Sequence, residues 1–521
     1  MGAGSPLQRP SVFGGVPNRG QREVPISIDK WAGVYTAYPP DSVPANGLWS
    51  CMNIDFIDQF TLSSRPGIQR FLDNLTHGQG NILEAFEFKK AGDTTWNLIY
   101  AHSNGNIYKV SNSGGTPAVI GTINAAANFV KMEQLKDKVY IADGYSYQSW
   151  DGTTMTTLTL PNSSVPVFVM EMGSRMWALC SDNWLYGSVV NDPDTYTGGN
   201  SVSFRIANGD GMTAMSLAKW TQKLLITKGD KKTQRFTLYQ LLGTSDADYE
   251  IVPVFGDSRS PVGFLGKSAV LIGNDVIGLM PDGFVTASGI NNFNEVALTN
   301  LSLPIDDVIK GINFEVAATT ACAIYDTATS QYLCAVPSEG ASSNNLVIVF
   351  DVKQARWGFY SGWLPTCLFK IAKTVYFGDS RGEIHKTREG HSDNGQGYEK
   401  YIETGGLNGD EPDTVKLFKA IEASVEQQGS YDVNVYWNID GEIPDGSPAA
   451  VTLPNFSSLW NTWVWDTDVW GGVKPFIFRI LTLGRGRSIR VRIYNDQPNE
   501  PFTVRRISVR SYATDSGPSK P

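Results

Sequence analysis

The chain has 521 residues and a formal net charge of −9, and 41% of its residues are hydrophobic and 11% aromatic. This much apolar material excludes a disordered protein and suffices for two to four domains of roughly 100–200 residues. The acidic balance argues against a protein that coats nucleic acid over its whole surface, and a charged fraction of only 18% leaves uncharged surface for packing against copies of itself.

Residues 1–79 form the first region, an N-terminal arm and opening segment. It contains FGGVPN (13–18) and LWSCMNIDFIDQFTLSSRPGIQRF (48–71). The first 20 residues lack the apolar stretch of a secretory signal, and no run in the chain approaches the ~18 apolar residues of a membrane helix. We therefore expect synthesis in a cytoplasm and no membrane segment.

Residues 80–390 repeat one unit, an apolar strand followed by a tight polar turn and a second strand. The copies start near residues 96, 138, 175, 223, 269, 331 and 374, about 37 to 62 residues apart. Hairpins with a period near 40–50 residues are typical of β-propeller blades, four-stranded sheets that bury both faces by stacking in a ring. We predict an all-β fold with a six- or seven-bladed β-propeller-like core; an open stack of β-sandwiches is the alternative.

Helical patterns are nearly absent from the chain. The segment LPIDDVIKGI (303–312) predicts a short helix, because it has a proline near its first turn and two aspartates near its N-terminal end. Five cysteines without a CxxC pair indicate a reducing compartment. Cys322 and Cys334 flank a predicted hairpin, where they face each other as a pair or, as we favour, are two reduced core thiols.

Residues 391–521 form the C-terminal region, which we predict to be a basic antiparallel β-sandwich. In YDVNVYW (431–437) and SIRVRIY (488–494), hydrophobic and polar residues alternate with the period of two that is typical of strands with one buried face. In FTVRRISVR (502–510) the apolar phase changes across the two central arginines, which predicts a β-bulge.

Positive charge is concentrated at this end of the chain. Residues 470–521 contain ten Lys and Arg against three Asp and Glu, a net charge of +7, which leaves −16 for residues 1–469. The arginines form a docking surface, a wall facing DNA, or the solvated outer face of a strand pair. The residues concerned are Arg485, Arg487, Arg490, Arg492, Arg505, Arg506 and Arg510.

Four tryptophans lie within eleven residues just before these arginines. Aromatic platforms bind sugars or partner proteins, but a soluble monomer rarely exposes so much aromatic area. We favour burial in the sandwich or in a subunit interface for Trp460, Trp463, Trp465 and Trp470.

Motifs for catalysis and metal binding are poorly represented. The four histidines lack metal-ligand spacing, there is no GxSxG, GFLGKS (263–268) lacks the first glycine of a phosphate loop, and GRGRSI (484–489) lacks the third of GxGxxG. AGDTTW (91–96) and SWDGTT (149–154) are weakly similar to turns of propeller glycosidases, although ordinary hairpin turns explain them better. We predict no catalytic residue, no metal site and no cofactor.

FGGVPN, followed by Asn-x-Asp and then Arg-Pro-Gly, resembles the opening segment of tail nozzle (tail tubular, or head-to-tail hub) proteins of short-tailed bacteriophages. The segment at 479–510 is similar to their C-terminal strand pair. We also predict a type II turn at the Arg-Pro-Gly sequence, with proline setting φ and the glycine at positive φ. The matching residues are Gly14, Gly15, Asn18, Asn53, Asp55, Arg65, Pro66 and Gly67.

The resemblance implies a structural virion protein with no chemistry of its own. Members of this family are implied to form rings, here a hexamer, in the tail below the portal and adaptor, and to be made in the cytoplasm of the bacterial host. The ring lines the DNA exit channel, retains the packaged genome and lets it be ejected. The implied partners are the adaptor or portal ring, tail fibre or spike proteins, and the passing genomic DNA.

Two expectations about charge follow from such a channel. The axial channel of the propeller should carry mainly acidic and neutral polar side chains, which repel the phosphate backbone. The C-terminal arginines should form a docking surface instead of a tight DNA site. Each phosphate that an arginine neutralises raises the affinity for DNA, and a channel through which the genome slides should not bind it tightly. The alternative functions are a propeller hydrolase acting on host glycans and a glycan- or receptor-binding tail module.

Overall fold

The computed structural model describes residues 21–112, 114–207, 209–254, 262–290, 296–426, 428–444, 447–454 and 475–514. Five short strands precede the repeated region: β1 (Gln21–Ile28), β2 (Leu48–Met52), β3 (Ile54–Phe56), β4 (Leu62–Ser64) and β5 (Ile68–Leu72).

Seven four-stranded sheets, here called blades 1 to 7, follow in chain order. Blade 1 contains β6 (Ile82–Phe88), β7 (Asn97–His102), β8 (Asn106–Ser111) and β9 (Ala118–Thr122). Blade 2 contains β10 (Lys131–Leu135), β11 (Lys138–Ala142), β12 (Tyr147–Trp150) and β13 (Met155–Thr157). Blade 3 contains β14 (Pro166–Met172), β15 (Arg175–Cys180), β16 (Trp184–Gly187) and β17 (Val202–Arg205). Blade 4 contains β18 (Thr213–Trp220), β19 (Lys223–Asp230), β20 (Arg235–Leu242) and β21 (Glu250–Pro253). Blade 5 contains β22 (Val270–Ile272), β23 (Asp275–Met280), β24 (Gly283–Ile290) and β25 (Val296–Asn300). Blade 6 contains β26 (Cys322–Asp326), β27 (Gln331–Val336), β28 (Leu346–Asp351) and β29 (Arg356–Tyr360). Blade 7 contains β30 (Pro365–Ile371), β31 (Thr374–Asp379), β32 (Ile384–Thr387) and, as its fourth strand, β5.

The blades form a closed ring. A cluster of buried side chains fills each of the six interfaces between consecutive blades, and a seventh cluster, which contains Ile82 and Phe369, joins blade 7 to blade 1. In blade 7 the outermost strand is β5, which pairs with β32 and so closes the ring with a strand from the N-terminal region. The predicted propeller is confirmed, and it has seven blades.

The seven predicted repeats correspond one to one with the seven blades. Six of them begin at the second strand of a blade, and the repeat at 269 begins at the first. Second strands such as β7, β15 and β27 are buried on both faces, so they have the continuous apolar sequence that the repeat analysis detects.

The remaining strands form a two-sheet sandwich, which confirms the second part of the predicted fold. Its strands are β33 (Lys400–Thr404), β34 (Lys416–Glu426), β35 (Asp432–Ile439), β36 (Ala449–Thr452), β37 (Pro475–Gly486), β38 (Ile489–Asn495) and β39 (Thr503–Thr514). One sheet has the order β2-β33-β38-β35-β36, and the other has the order β3-β4-β39-β34-β37 with β1 also paired to β39. The first four strands of the chain thus belong to the same two sheets as the strands of residues 400–514.

The faces predicted for the C-terminal strands are confirmed. Val433, Val435 and Val491 are at most 1% exposed, and the arginines of β38 project from the opposite face. The predicted bulge is present in β39, where the ladder with β34 shifts between Val504 and Arg506 and leaves one extra residue between them.

In the part of the chain that the structure describes, two short helices interrupt the strands: α1 (Asp306–Lys310) and α2 (Phe314–Thr320). Three 3-10 turns accompany them: Pro40–Ser42, Pro161–Ser163 and Leu303–Ile305. The helix predicted at 303–312 is confirmed by the last of these turns together with α1, whereas α2 was not predicted. Across the described ranges, no helix has the length and apolarity to cross a membrane.

The five cysteines are buried and free. Cys322 pairs with Ala335 in the ladder, and Cys334 pairs with Ala323, so the two thiols point to opposite faces of blade 6. The alternative in which they face each other as a pair is wrong, and the favoured interpretation as separate reduced core thiols agrees with this register.

Candidate functional site

Residues that carry the family resemblance meet at one buried point. Asn53, Asp55 and Arg65 are each at most 3% exposed. They lie where the N-terminal segment, the end of blade 6 and residues 388–400, which link blade 7 to the sandwich, come together. Outside the described residues lie Gly14, Gly15 and Asn18.

The guanidinium of Arg65 is the centre of this point. Its Nη1 and Nη2 donate to the two carboxylate oxygens of Asp393 at 2.9 and 2.6 Å, and its Nε donates to Oδ1 of Asn53 at 2.8 Å. Nη2 also donates to the carbonyl of Ser361 at 3.2 Å, and the guanidinium carbon lies 4.0 Å from the centroid of the Tyr398 ring. A bidentate ion pair, further acceptors and a stacked ring together offset the lost hydration of a buried arginine. We call these five residues the Arg65 node.

Asn53 connects the node to two other parts of the molecule. Its φ of 58° is in the left-handed region, which asparagine adopts more readily than most residues. Its backbone N–H donates to the carbonyl of Phe359 in blade 6 at 2.7 Å. Its carboxamide donates to the Ser361 hydroxyl at 2.9 Å and to the carbonyl of Glu399, just before β33, at 2.6 Å. One side chain thus links the N-terminal segment, the propeller and the sandwich.

Asp55 belongs to a neighbouring network. It accepts hydrogen bonds from the hydroxyl of Tyr360 and from Nε2 of Gln331 at 3.2 Å, and its Oδ2 lies 3.6 Å from Nη1 of Arg388. Arg388 also contacts Asp326 at 2.9 Å. Burial raises the pKa of Tyr360 and the charge of Asp55 raises it further, so the phenol stays protonated and donates. This network holds the N-terminal segment against blade 6.

The type II turn predicted at Gly67 is wrong, because Gly67 is not among the residues with positive φ. The glycine is required for another reason: a Cβ there would lie 2.1 Å from the carbonyl oxygen of Ser392. The backbones are also hydrogen-bonded, with the Gly67 N–H donating to Gly390 at 2.9 Å and the Glu389 N–H donating to Gly67 at 3.0 Å. The sequence identified the residue correctly and the conformation incorrectly.

Charged side chains from several blades converge on the propeller axis. Lys267, which directly precedes blade 5 and bridges to blade 6, contacts the carboxylate of Glu84 in blade 1 and donates to the carbonyl of Leu83 at 3.1 Å. Because blade 1 neighbours neither blade 5 nor blade 6 in the ring, this ion pair crosses the lumen. Nζ of Lys219 lies 2.7 Å from Oε2 of Glu171, which joins blade 4 to blade 3. This axial cluster consists of Glu84, Lys131, Glu133, Glu171, Lys219 and Lys267.

The prediction of an acidic and neutral lumen is therefore wrong. The axial cluster pairs three lysines with three glutamates. Carboxylates that lie close together near the axis repel one another, and cations between them offset this repulsion. Burial raises the pKa of Glu133, an effect that Lys131 partly offsets. A duplex about 20 Å across has no path through a lumen that a side-chain ion pair spans.

Within the described ranges, one group of three side chains has the spacing of metal ligands: Asp379, Glu383 and His385. Its carboxylates already have cationic partners, with Nε of Arg381 2.8 Å from Asp379 and Nη1 of Arg70 2.7 Å from Glu383. Burial raises the pKa of Asp379, but hydrogen bonds from His385 and from the turn outweigh it and leave the pKa lowered. The group is a hydrogen-bonded hairpin turn of blade 7, and we assign no metal to it.

A histidine pair escaped the sequence analysis. The rings of His77 and His102 lie 4.8 Å apart, centroid to centroid, between blades 1 and 7. Nε2 of His77 bonds the Gly382 carbonyl at 2.7 Å, the Tyr100 hydroxyl bonds its Nδ1 at 3.0 Å, and the backbone N–H of Asn104 donates to Nδ1 of His102 at 3.1 Å. Burial lowers the pKa of His102. Both rings pack between these blades, and only the closure of the propeller ring brings them together.

The seven arginines proposed as a docking surface are divided between the two sheets of the sandwich. Arg490 and Arg492 project from β38 in the five-stranded sheet and lie 3.8 and 3.2 Å from Glu403 and Glu399. The other members are Arg485 on β37, Arg505, Arg506 and Arg510 on β39 in the six-stranded sheet, and Arg487 in the turn between β37 and β38.

Several of these arginines have acidic partners on their own sheet. Arg505 lies 2.6 Å from Glu426, and Arg510 lies 2.9 Å from Glu422. The docking role stays a prediction, and it now concerns two opposed faces. Outside the described residues lie the four interface aromatics, Trp460, Trp463, Trp465 and Trp470.

Comparison of the sequence with protein-family models and with curated proteins finds no match. Among solved structures, the chain is similar to BBS1N in complex with ARL6DN (11% identity, TM-score 0.40, 62% of this chain and 97% of that chain) and to YCF48 from Cyanidioschyzon merolae (11% identity, TM-score 0.38, 60% and 96%). It is also similar to the computationally designed Ika8 protein (11% identity, TM-score 0.36, 61% and 99%). Likenesses this distant carry no argument about function, and the propeller rests on the strand pairing described above.

Proposed function

We propose that this protein is a tail nozzle subunit of a short-tailed bacteriophage. In this role it assembles into a ring that lines the DNA exit channel, retains the packaged genome and lets it be ejected. The Arg65 node carries the proposal. Two of the resemblance residues, Asn53 and Arg65, belong to the contact that joins propeller to sandwich, and Gly67 lies against residues 389–392 of the same junction. A resemblance at residues that hold an architecture together supports a shared architecture.

The axial cluster bears on the path that we propose for DNA in such a ring. Because the Lys267–Glu84 ion pair spans the propeller lumen, the proposal routes DNA through a bore between subunits. Each subunit would then contribute an outer surface to the bore. The two arginine-bearing faces of the sandwich are candidates for contact with the adaptor ring.

A propeller hydrolase is less well supported by the same cluster. Glycoside hydrolysis needs two carboxyl groups facing a substrate, about 5–10 Å apart, one as acid and the other as base or nucleophile. At the axis, Glu84 is in contact with Lys267, which lies just before blade 5, and Glu171 is in contact with Lys219 of blade 4. These contacts cross-link blades, which is the use of the carboxylates that we favour.

Electron microscopy and light scattering of the purified full-length protein, alone and with the adaptor, test the proposal. We expect a closed ring of six subunits with a bore at least about 20 Å wide, enough for duplex DNA. A particle that stays monomeric at every concentration, with and without the adaptor, contradicts the proposal. A ring whose bore is narrower than the duplex, with no movable plug, contradicts the DNA path.

A further inference from the structure

Lys400, the first residue of β33, is a buried lysine where the chain enters the sandwich. It is 0% exposed, and its Nζ donates to the backbone carbonyl of Gln497 at 2.8 Å. Nζ also lies 4.8 Å from the centroid of the Tyr398 ring, the ring that stacks on Arg65. In the part of the chain that the structure describes, no carboxylate forms an ion pair with this amine. A buried ammonium without a counter-ion is costly, so these surroundings favour the neutral amine.

The acidity of Lys400 agrees with its surroundings. Burial lowers its pKa to about 8, although the charges of Glu500 and Asp496 raise it in part. The charge of Arg65 lowers the pKa further, and that of Asp393 raises it. About a tenth of these side chains are then neutral at pH 7, against about one in 2,500 at the pKa of ~10.4 of an exposed lysine. A lysine with a lowered pKa is an activated nucleophile.

The carboxamide of Asn495 lies directly opposite Lys400 on the neighbouring strand β38. Both side chains point into the sandwich, and Asn495 is 2% exposed. Opposite residues of an antiparallel pair have Cβ atoms about 4.5–5.5 Å apart, a span that a lysine side chain covers. Both side chains also meet at Gln497, whose carbonyl accepts from Nζ of Lys400 and whose N–H donates to Oδ1 of Asn495 at 2.8 Å. The amine is therefore within reach of Cγ of Asn495.

Three hydrogen bonds fix the Asn495 carboxamide in an orientation suited to attack by an amine. Its Oδ1 accepts from the Gln497 N–H, a donor that stabilises the negative charge formed on this oxygen when a nucleophile adds to Cγ. Its Nδ2 donates to the carbonyl of Asp432 at 2.9 Å and to Oε2 of Glu500 at 2.8 Å. A carboxyl group at this nitrogen can deliver a proton to it as it leaves. Among charged side chains, Glu500 also has the largest effect on the pKa of Lys400, so its carboxylate serves both nitrogens.

We propose that Lys400 and Asn495 form an intramolecular isopeptide bond. The neutral amine adds to Cγ of Asn495, so that an Nζ–Cγ bond forms and the Cγ–Nδ2 bond breaks. The proton that Nζ gives up passes through the carboxylate of Glu500 to Nδ2, which leaves as ammonia. This step exchanges one amide for another, so it needs no oxidant, reductant or cofactor.

The bond would join β33, the first sandwich strand after the Arg65 node, covalently to β38. The strand through which the propeller is attached to the sandwich could then no longer separate from its neighbour. The proposal goes beyond the nozzle function and does not depend on it, because all the reacting groups belong to one chain.

A second buried lysine of the sandwich offers an internal control. Lys416 is also 0% exposed, but its Nζ donates to three backbone carbonyls, at 2.5, 2.9 and 3.2 Å. Its partners across the two ladders are Gly486 and Ala513, which have no carboxamide. Lys416 should therefore remain a free amine.

Mass spectrometry of the purified full-length protein tests the bond. We expect an intact mass, measured under denaturing conditions, that is lower than the mass of the sequence by one molecule of ammonia. Trypsin should cut after Lys416 but not after Lys400, and should release a branched peptide that joins Lys400 to Asn495. The branched peptide distinguishes a cross-link from loss of ammonia within a single side chain.

Variants test the roles of the individual groups. Asn495→Ala has no carboxamide and should have the full mass of its sequence. Glu500→Gln keeps the shape of the side chain but loses the acid, so cross-linking should slow about a hundredfold, the size of one acid–base contribution. The matched control is Glu403→Gln, which changes a half-buried carboxylate on the opposite face of β33 and should cross-link as the wild type does. Circular dichroism would show that each variant is folded.

Three results overturn the proposal, and the first two need no variant. One is a wild-type protein that keeps the full mass of its sequence after prolonged incubation at about pH 8, where half of the Lys400 amines are neutral. Another is a loss of ammonia without a branched peptide that contains Lys400 and Asn495. The third is folded Glu500→Gln protein that cross-links as fast as the wild type.

Discussion

Replacing Arg65 with leucine should destabilise the protein more than any exposed arginine replacement in the same segment. The substitution keeps an apolar stem in the node but removes the charge that Asp393 pairs with and the donor that Asn53 accepts from. Asp393 would remain as a carboxylate with 13% of its side chain exposed and no cation on its two oxygens. The strands that meet at the node would lose their common contact.

The magnitude follows from the burial of the pair. The side chain of Arg65 is 1% exposed, and breaking a buried ion pair by removing one partner costs about 3–5 kcal/mol. Arg70, on the adjoining strand β5, makes an ion pair with Glu383 at 2.7 Å but keeps 52% of its side chain exposed. Exposed pairs contribute about 0–1 kcal/mol, so Arg70→Leu is the matched control.

Urea unfolding followed by tryptophan fluorescence measures the difference, since Trp363 lies 5.1 Å from the Arg65 guanidinium. Hydrogen exchange should locate it, with the amides of β5 losing protection first. In a double-mutant cycle, Asp393→Leu combined with Arg65→Leu should recover part of the loss, because no unpaired charge remains.

Two results would refute the reasoning. The first is a free energy of unfolding for Arg65→Leu that equals that of Arg70→Leu within about 0.5 kcal/mol, the usual scatter of surface changes. The second is strict additivity in the cycle with Asp393, which would mean that the ion pair does not couple the two side chains.

Three further outcomes are expected. Gly67→Ala should lower the urea midpoint of unfolding sharply, because its Cβ would lie 2.1 Å from the carbonyl oxygen of Ser392. The control is Gly358→Ala, whose Cβ would lie 3.5 Å from its nearest neighbour and should change the midpoint little. Equal midpoints for the two variants would contradict the packing argument. Burial lowers the pKa of His102 below the ~6.5 of an exposed imidazole, so below that pH the unfolded chain takes up a proton that the folded chain does not. The free energy of unfolding should therefore be highest above about pH 6.5 and should fall at lower pH. Urea midpoints at about pH 7.5 and about pH 5.5 measure this fall, which should be smaller in His102→Asn. Burial raises the pKa of Cys51 to about 12 and raises those of the other four thiols, so a thiol reagent should label none in the native protein and five in guanidinium; rapid native labelling would contradict their burial.

The number of blades could be predicted from the sequence because one strand of each blade has a continuous apolar sequence. The second strands are sandwiched between two others and between two neighbouring blades, so both faces are apolar, as in β15 and β27. The outermost strands β9 and β13 are short and largely exposed, so they lack the long buried apolar run of a second strand. Their existence follows only from the need to complete a four-stranded sheet.

The sites were less accessible because their members are far apart in sequence. Asn53 and Arg65 were identified by resemblance, while Ser361, Asp393 and Tyr398 have no local signal that marks them as partners. The axial cluster was missed for the same reason, since ring closure brings Lys267 to Glu84 across 183 positions. Net charge predicted an acidic lumen, but a sum over residues does not indicate which charges are paired.

The pairing of β5 with β32 sets an order of events during synthesis. Residues 68–72 leave the ribosome early, but their partner at 384–387 follows only after more than 300 further residues, or roughly 15–60 s at typical rates of elongation. β1 waits longer still, because it pairs with the last described strand, β39. The ring cannot close before residue 387 is made, and the sandwich cannot be completed before β39 is made, so partly made chains expose unpaired strand edges. Slower elongation would lengthen this exposure, and a chaperone that shields early strands would raise the yield of folded protein.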